Sequence, residues 1–218
     1  MTNLEDLIHR WHLGWRASRS LPAAEVTDDA LWSHCAQPGR EYEVFALHAD
    51  EDPASVSRLA AQVRAAKQHT WLTIATTRPA ETTAAVEAAG LELLHRSEWL
   101  MTTELPRHPR HSPDSAYTCD LRSEGHAITV QIHDHTGDLA ARGQIGLAGT
   151  DAIPDRIETM PAHRRRGLGS IVMGTLTAEA VTQGAHTGLL IASVDGQHLY
   201  STLGWKRLAD VVIAQPPA

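Results

Sequence analysis

Apolar positions recur along the chain with two periods, and the switches between them mark the elements. EYEVFALHA (41–49) alternates as a strand does, residues 54–66 carry helical spacing, and WLTIATT (71–77) is a short, β-rich apolar run. Pro79 near a first turn and Gly90 just past the end bracket a helix over ETTAAVEAA, and the strand-like LELLHRSEWLMTTEL follows. Further on, AITVQIHD and LAARGQIGLAG flank the turn-rich HTGD as a hairpin, and AIPDRIETM (152–160) is a third strand. A long helix is predicted over 167–183 with Gly184 as its stop. After it come a strand in the latter part of AHTGLLIASV (185–194), a short helix over 197–203, and the closing strand WKRLADVVIA. The class is α/β, with a mostly antiparallel start.

PRHPRHSPDS, residues 106–115, interrupts the two periodic regions with three prolines and a cluster of basic and small polar residues, so it reads as a linker between 1–105 and 116–218. The series WLTIATT, ETTAAVEAA, Gly90, LELLHRSEW recurs as GLLIASV, GQHLYSTL, Gly204, WKRLADVVI. This suggests two related halves, although a common α/β pattern imitates such a series. Trp11 and Trp15 lie one turn apart and form one aromatic helical face. Such a stripe reads as core or interface packing, with substrate stacking as the alternative.

At 42% hydrophobic and 21% charged, the 218 residues have enough apolar material for a packed core. No apolar run approaches the roughly 20 residues that span a bilayer, and the start MTNLEDLIHRW is acidic and amphipathic rather than a basic leader, so a cytoplasmic protein without membrane partners is expected. Cys35 and Cys119 are far apart and fit unpaired thiols. The net charge of −7 lies mostly before residue 107, which argues against a nucleic-acid partner. His133-Asp134-His135 falls in the hairpin turn and lacks a third ligand at useful spacing, so no metal is expected, and His108 and His111 read as parts of a solvated linker.

The exception to acidity is IETMPAHRRRGLGS, which holds R-x-x-G-x-G (Arg164, Gly167, Gly169) after a predicted strand and at the opening of a helix. Gly167 and Gly169 let an anionic ligand approach the backbone, and free N–H groups of a first helical turn cradle phosphate oxygens. Three arginines at a helix N-terminus oppose its dipole, so something anionic should compensate them, and a diphosphate suits both the amides and the guanidiniums. Neither a G-x-x-x-x-G-K-[ST] loop nor a full G-x-G-x-x-G after a strand occurs.

Strand, P-x-x-R-x-x-G-x-G, long helix, apolar strand and then Leu199-Tyr200-Ser201-Thr202-Leu203-Gly204-Trp205 resembles the core of the GNAT acetyltransferase superfamily over about residues 127–213, with Trp for Phe in its LYxxxGF motif. The resemblance implies a GNAT fold, a mixed and mostly antiparallel sheet flanked by helices, here with a degenerate GNAT-like first half. It implies acetyl-CoA as cosubstrate, its pyrophosphate held by backbone groups of Arg164, Arg165, Arg166, Gly167, Leu168, Gly169 and Ser170, with the strand end around Glu158 to Met160, Thr159 included, hydrogen-bonding the pantetheine arm. It also implies Met160 N–H as oxyanion donor and Tyr200 as general acid, for which packing on the helix face is the alternative role.

For the base, Glu158 and then Asp155 are considered. Their odd spacing on a regular strand sends them to opposite faces, so only one could serve, and a water relay could replace either. Two departures stand out. Only about half a dozen residues separate YTCDL from AITVQI, too few for the two helices that help wall the family's acceptor site, so the first half is expected to supply that wall. Asp195 reads as an N-cap where relatives carry Asn in the preceding loop. Val86 stands where the first half would need its Tyr200, and no R-x-x-G-x-G occurs there, so one cofactor site per chain is inferred. The leading expectation is N-acetylation of a primary amine on a small molecule or amino acid by direct attack. A silent acyl-CoA-binding module and protein N-terminal acetylation are the alternatives. A homodimer is compatible with the sequence but not specified by it.

Overall fold

The computed structural model describes residues 3–94, 97–112 and 114–217. The first stretch of chain forms α1 (Leu4–Ser18), β1 (Glu25–Val26), β2 (Ala30–Gln37), β3 (Arg40–Ala46), α2 (Pro53–Ala65), β4 (Thr70–Thr76), α3 (Pro79–Ala88), β5 (Glu92–Leu93) and β6 (Glu98–Glu104). The second forms β7 (Tyr117–Glu124), β8 (Ala127–Asp134), β9 (Leu139–Ala148), β10 (Asp151–Thr159), α4 (Leu168–Thr182), β11 (Thr187–Ser193), α5 (Val194–Thr202) and β12 (Lys206–Gln215). The expected elements are present. LELLHRSEWLMTTEL divides into β5 and β6, with His95 and Arg96 outside the described residues, as is Pro113 of the linker. β2 had no counterpart in the sequence reading. Ser193, not Asp195, caps α5: its side chain accepts from Gly196 N–H, while Asp195 sits in the first turn.

The described strands make one mixed, mostly antiparallel sheet in the order β1-β2-β3-β4-β12-β6-β11-β10-β9-β8-β7, with β5 beside β12. This order exchanges strands between the stretches. β6 lies between β11 and β12, and β12 lies between β4 and β6, so each stretch ends in a strand that completes the sheet of the other. Both exchanged strands are buried on two faces. Leu100 packs on the α1 side and Met101 on the other, and Val211 and Ile213 oppose Val212 and Ala214 in the same way. Each such side chain contributes roughly 1.5–3 kcal/mol of burial, so prising the stretches apart would expose the centre of the sheet. The repeat reappears as geometry. α3 and α5 are each followed by a glycine in the left-handed region, Gly90 at φ +81° and Gly204 at φ +86°, before the chain turns into a strand.

The two faces of the sheet are covered unequally. On one, α2 and α3 cover β3, β4 and β12 through Val56, Leu59, Val63 and Val86, while α4 covers β8 to β10 through Val172 and Leu176. On the other, α1 is the helix that packs on the sheet, and it docks against β9 and β10 of the second stretch. That contact is backbone-close: a Cβ on Gly146 would fall 1.8 Å from the Gly14 carbonyl oxygen, and one on Gly14 would meet Ile153 at 2.3 Å. β7 and β8 are joined by a tight turn at Gly125, with no helix between them.

The linker is not a solvated tether throughout. His108 is buried; its Nδ1 lies 2.9 Å from the Pro109 carbonyl and 3.1 Å from Thr177 Oγ1, and its ring meets Trp205 edge-on. Gly174 of α4 lets the segment lie close, since a Cβ there would sit 3.2 Å from Pro109 O and His111 N.

His12 is buried beneath α1 with Nε2 3.1 Å from Ser33 Oγ, and burial, helped by Arg16 and His9, pushes its pKa from 6.5 to about 4. The unfolded chain therefore takes up a proton near pH 6.5 that the folded chain takes up only near pH 4. The stability contributed by neutral His12 is complete above pH 6.5 and is lost as pH falls toward 4, amounting to about 3 kcal/mol. Urea denaturation at pH 7 and pH 4.5 should show a smaller acid loss for His12→Gln than for the parent; equal losses would remove His12 from the acid response.

Candidate functional site

β10 and β11 run parallel but pair at only two positions, Asp151 with Thr187 and Ala152 with Gly188. Beyond them β11 keeps β6 as a neighbour through Ser193, and β10 keeps β9 through Thr159. The strands therefore diverge into a V that opens at their carboxyl ends, where the chain proceeds to α4 and α5. Backbone groups on its inner edges have no ladder partner and call for a polar ligand or water. The parallel pair of the first stretch differs: β3 and β4 stay paired over five positions, from Tyr42 with Thr70 to Ala46 with Ile74. Asp50 then staples their ends, accepting from the hydroxyls of Thr76 and Thr77 and from Thr77 N–H at 2.9 Å. Among the described residues, the V of the second stretch is the open one.

Residues 164–170 form the mouth of that V. Arg165 at φ +62° and Gly167 at φ +76° are both left-handed, which curls the backbone into a concave turn of the kind that collects N–H groups around an anion. Gly167 is the N-cap of α4 and has no side-chain cap, and Leu168 N–H and Gly169 N–H have no carbonyl a turn back within the helix. A Cβ on Gly167 would meet nothing within 4 Å, so the space above the turn is open. Arg164, Arg165 and Arg166 are exposed around it, Leu168 is buried beneath it, and Ser170 N–H closes on Gly167 O at 3.0 Å. The sequence reading missed what holds Arg166: its Nη1 donates to Tyr117 Oη at 2.9 Å, and Tyr117 Oη is 3.3 Å from His163 Nδ1. Thr159 reaches toward the turn, its Oγ1 3.8 Å from where a Gly169 Cβ would stand.

The expected oxyanion donor is otherwise engaged. Met160 N–H donates to the Ala140 carbonyl at 2.9 Å. The expected faces of Asp155 and Glu158 also change. Asp155 pairs with Gln144 and Glu158 with Arg142, three residues against two, so β10 bulges between them, with Arg156 kinked to φ +52°. Gln144 and Arg142 share a face of β9, so the bulge turns both carboxylates to the α1 side rather than to opposite sides. Glu158 is half-exposed and binds Arg142 Nε at 2.9 Å and Nη2 at 2.7 Å. Asp155 is largely buried: Arg19 of α1 holds it through Nε and Nη2, each at 2.7 Å, and Gln144 Nε2 donates at 3.1 Å.

Tyr200 lies on α5 on the other face, buried among Met101, Met173, Leu190 and Trp205. Burial, with the negative charge of Asp155 adding to it, pushes its phenol well above the ordinary value near 10, so it stays protonated across the neutral range. The His133-Asp134-His135 turn holds no metal-type cluster; Asp134 accepts from the N–H groups of Thr136 and Asp138 and lies 3.7 Å from His163. No group of metal-ligating side chains occurs among the described residues, and none of their helices is long and apolar enough to cross a membrane.

The family model described as the acetyltransferase (GNAT) family matches residues 93–205. A GCN5-related N-acetyltransferase from Kribbella flavida superposes with a TM-score of 0.68 at 16% identity, over 94% of this chain and 93% of its own. A GNAT-family protein from Novosphingobium aromaticivorans gives 0.63 at 14% identity over 100% of both chains. A tandem GNAT protein from the clavulanic acid biosynthesis pathway gives 0.59 at 12% identity, over 87% of this chain and 80% of its own. At such identities these likenesses establish the fold. No curated protein sequence matches.

Gly167→Ala tests the mouth of the V. The methyl meets no protein atom, so the fold loses only the left-handed strain of about 1–2 kcal/mol, a few degrees of Tm. Calorimetric affinity for CoA should fall about tenfold or more. Unchanged affinity would show that the turn does not touch the ligand.

Proposed function

As the chain belongs to the acetyltransferase (GNAT) family, we propose that it is an N-acetyltransferase that moves the acetyl group of acetyl-CoA directly to a primary amine on a small molecule or amino acid, in a ternary complex. The observation that carries this reading is the open V beside a bare, arginine-ringed helix start. Leu168 N–H and Gly169 N–H would take pyrophosphate oxygens, with Arg164, Arg165 and Arg166 neutralising the phosphates. Thr159, Met160 and Ser170 complete the cofactor-binding set along the strand end and the first turn. The inner edge of β10 supplies amide partners for the pantetheine arm. With its amide given to Ala140, Met160 yields the oxyanion role to the bulge amides of Arg156 and Ile157, which stand outside the β9 ladder.

In the reaction the neutral amine attacks the thioester carbonyl, the C–N bond forms and the C–S bond breaks. Tyr200, whose phenol is protonated at working pH, gives its proton to the departing sulfur. The amine proton leaves to Glu158 or through water to solvent. No covalent enzyme intermediate and no metal is required. The partner is a small amine rather than nucleic acid or membrane, and the setting we infer is cytoplasmic.

Calorimetry with acetyl-CoA, followed by thiol release across an amine panel, tests the reading. Binding with turnover is expected; binding without turnover on a broad panel would favour a silent acyl-CoA-binding module, and no binding would remove the cofactor site. Tyr200→Phe should lower kcat by about 10²–10⁴. Its acetyl-CoA affinity should change less than about threefold, or under 0.7 kcal/mol. Undiminished kcat would take Tyr200 out of the mechanism.

A further inference from the structure

A cavity of about 230 Å³ lies under α1, on the face of the sheet opposite α4 and α5. Trp11 and Trp15 roof it, Glu43 and Thr73 line it in the first stretch, and Asp155 and Ile191 line it at the V. The last two belong to β10 and β11 just beyond their final paired residues, so this end of the cavity opens onto the gap between the diverging strands. A donor carried by the α4 side and an acceptor carried by the α1 side can thus meet there from opposite faces. At about eight waters' worth of liquid volume, the cavity is smaller than the roughly 300 Å³ at which drug-sized sites begin.

Four of the five charged side chains that line it come as opposed pairs, and the fifth, Glu98, is not free either. Arg19 and Asp155 stand at the V with side chains 13% and 11% exposed, and Arg40 and Glu43 stand at the far end at 16% and 6%. A bare cation would face two guanidiniums there and a bare anion three carboxylates, Glu98 among them, whereas a purely apolar amine would leave the polar lining desolvated without a partner. Arg19 is held rigid, with its fork already on Asp155. Its guanidinium lies 4.7 Å over the Trp15 ring, and its Nε and Nη2 are fixed on Asp155. Among the described residues its third nitrogen, Nη1, makes no hydrogen bond or ion pair, which leaves one donor edge beside the V. Arg40 Nε, at the far end, is buried without a hydrogen-bond partner and adds a second call for an acceptor oxygen.

We propose that this cavity is the acceptor site and that its substrate is a compact amine bearing a carboxylate next to the amine-bearing carbon, an amino-acid-like zwitterion. Arg19 Nη1 takes the carboxylate and thereby points the amine into the V. The proposal rests on the acyl-transfer reading for its chemistry but not for its binding, so the two can fail separately.

Ligand binding is read by calorimetry and by quenching of tryptophan fluorescence on the intact chain, without acetyl-CoA. Free amino acids are compared with their amides and with the amines left by removing the carboxylate, such as phenylalanine with phenethylamine and lysine with cadaverine. The carboxylate-bearing member of each set should bind about tenfold or more tightly. Arg19→Gln should bring that ratio toward one, and Arg19→Lys should restore part of it. Trp99→Phe, away from the cavity, should leave it unchanged. Equal or tighter binding of the amides or decarboxylated amines would overturn the proposal, as would an unchanged ratio in an Arg19→Gln protein that melts cooperatively. If amino acids bind selectively while acetyl-CoA does not bind, the acyl-transfer reading falls and the amino-acid site stands. If acetyl-CoA binds and the decarboxylated amines are acetylated preferentially, the reverse holds.

Discussion

A parallel pair that stops after two registers leaves a sheet edge inside a sheet, and the site depends on that constraint. β10 and β11 can part because each is held from outside, β10 by β9 and β11 by β6 along its whole length. Their inner edges then carry peptide groups that cost free energy unless something polar fills the gap. An extended ligand with amides of its own suits such an edge, and the curled turn at its mouth, which we propose takes phosphate, would give that ligand an anchored end. The first stretch has the same parallel pair without the vacancy, because β3 and β4 remain paired over five registers and Asp50 ties their ends. One chain thus carries an open and a closed form of the same arrangement.

Strand exchange makes the open form depend on the closed one. β6 is the strand that holds β11 away from β10, and it comes from the first stretch. α1, from the same stretch, covers the other face, and its Arg19 fixes Asp155 at the start of the bulge. A buried ion pair of this kind is weak as a source of net stability but costly to break on one side only. It specifies the register between α1 and β10 more than it strengthens the fold. The stretch without an R-x-x-G-x-G turn is therefore a structural component of the candidate site.

Much of this was legible in the sequence where local chemistry decides. R-x-x-G-x-G at a helix start marked a curled turn into α4, and the left-handed Arg165 and Gly167 are its geometric content. Helices bracketed by proline and glycine lie within a residue or two of their predicted bounds. What was illegible depends on partners distant along the chain. No glycine marks the bulge at Arg156, and alternation alone sends Asp155 and Glu158 to opposite faces; the slip becomes visible only once β9 supplies the register. Met160 N–H is claimed by Ala140 for the same reason. His108 reads as a linker histidine because its burial is created by Trp205 and Thr177, nearly a hundred and about seventy residues away. Trp11 and Trp15 were read correctly as one face, but what that face covers is set by β9 and β10.

The two faces of the sheet divide the chemistry. Tyr200 and the turn before α4 lie on the side of α4 and α5, while Asp155, Glu158 and the polar cavity lie on the side of α1, and the V lies between them. Asp155 is felt by the Tyr200 phenol across the V, which raises its pKa beyond what burial alone does. A neutral phenol on one face and carboxylates on the other would, in the reaction we propose, keep acid apart from base. On its own face α1 both completes an apolar core with Phe45, Leu100 and Ile153 and roofs the polar cavity. The helices α2 to α5 on the opposite face bury the sheet and leave the start of α4 open, where the proposed long anionic ligand would be held.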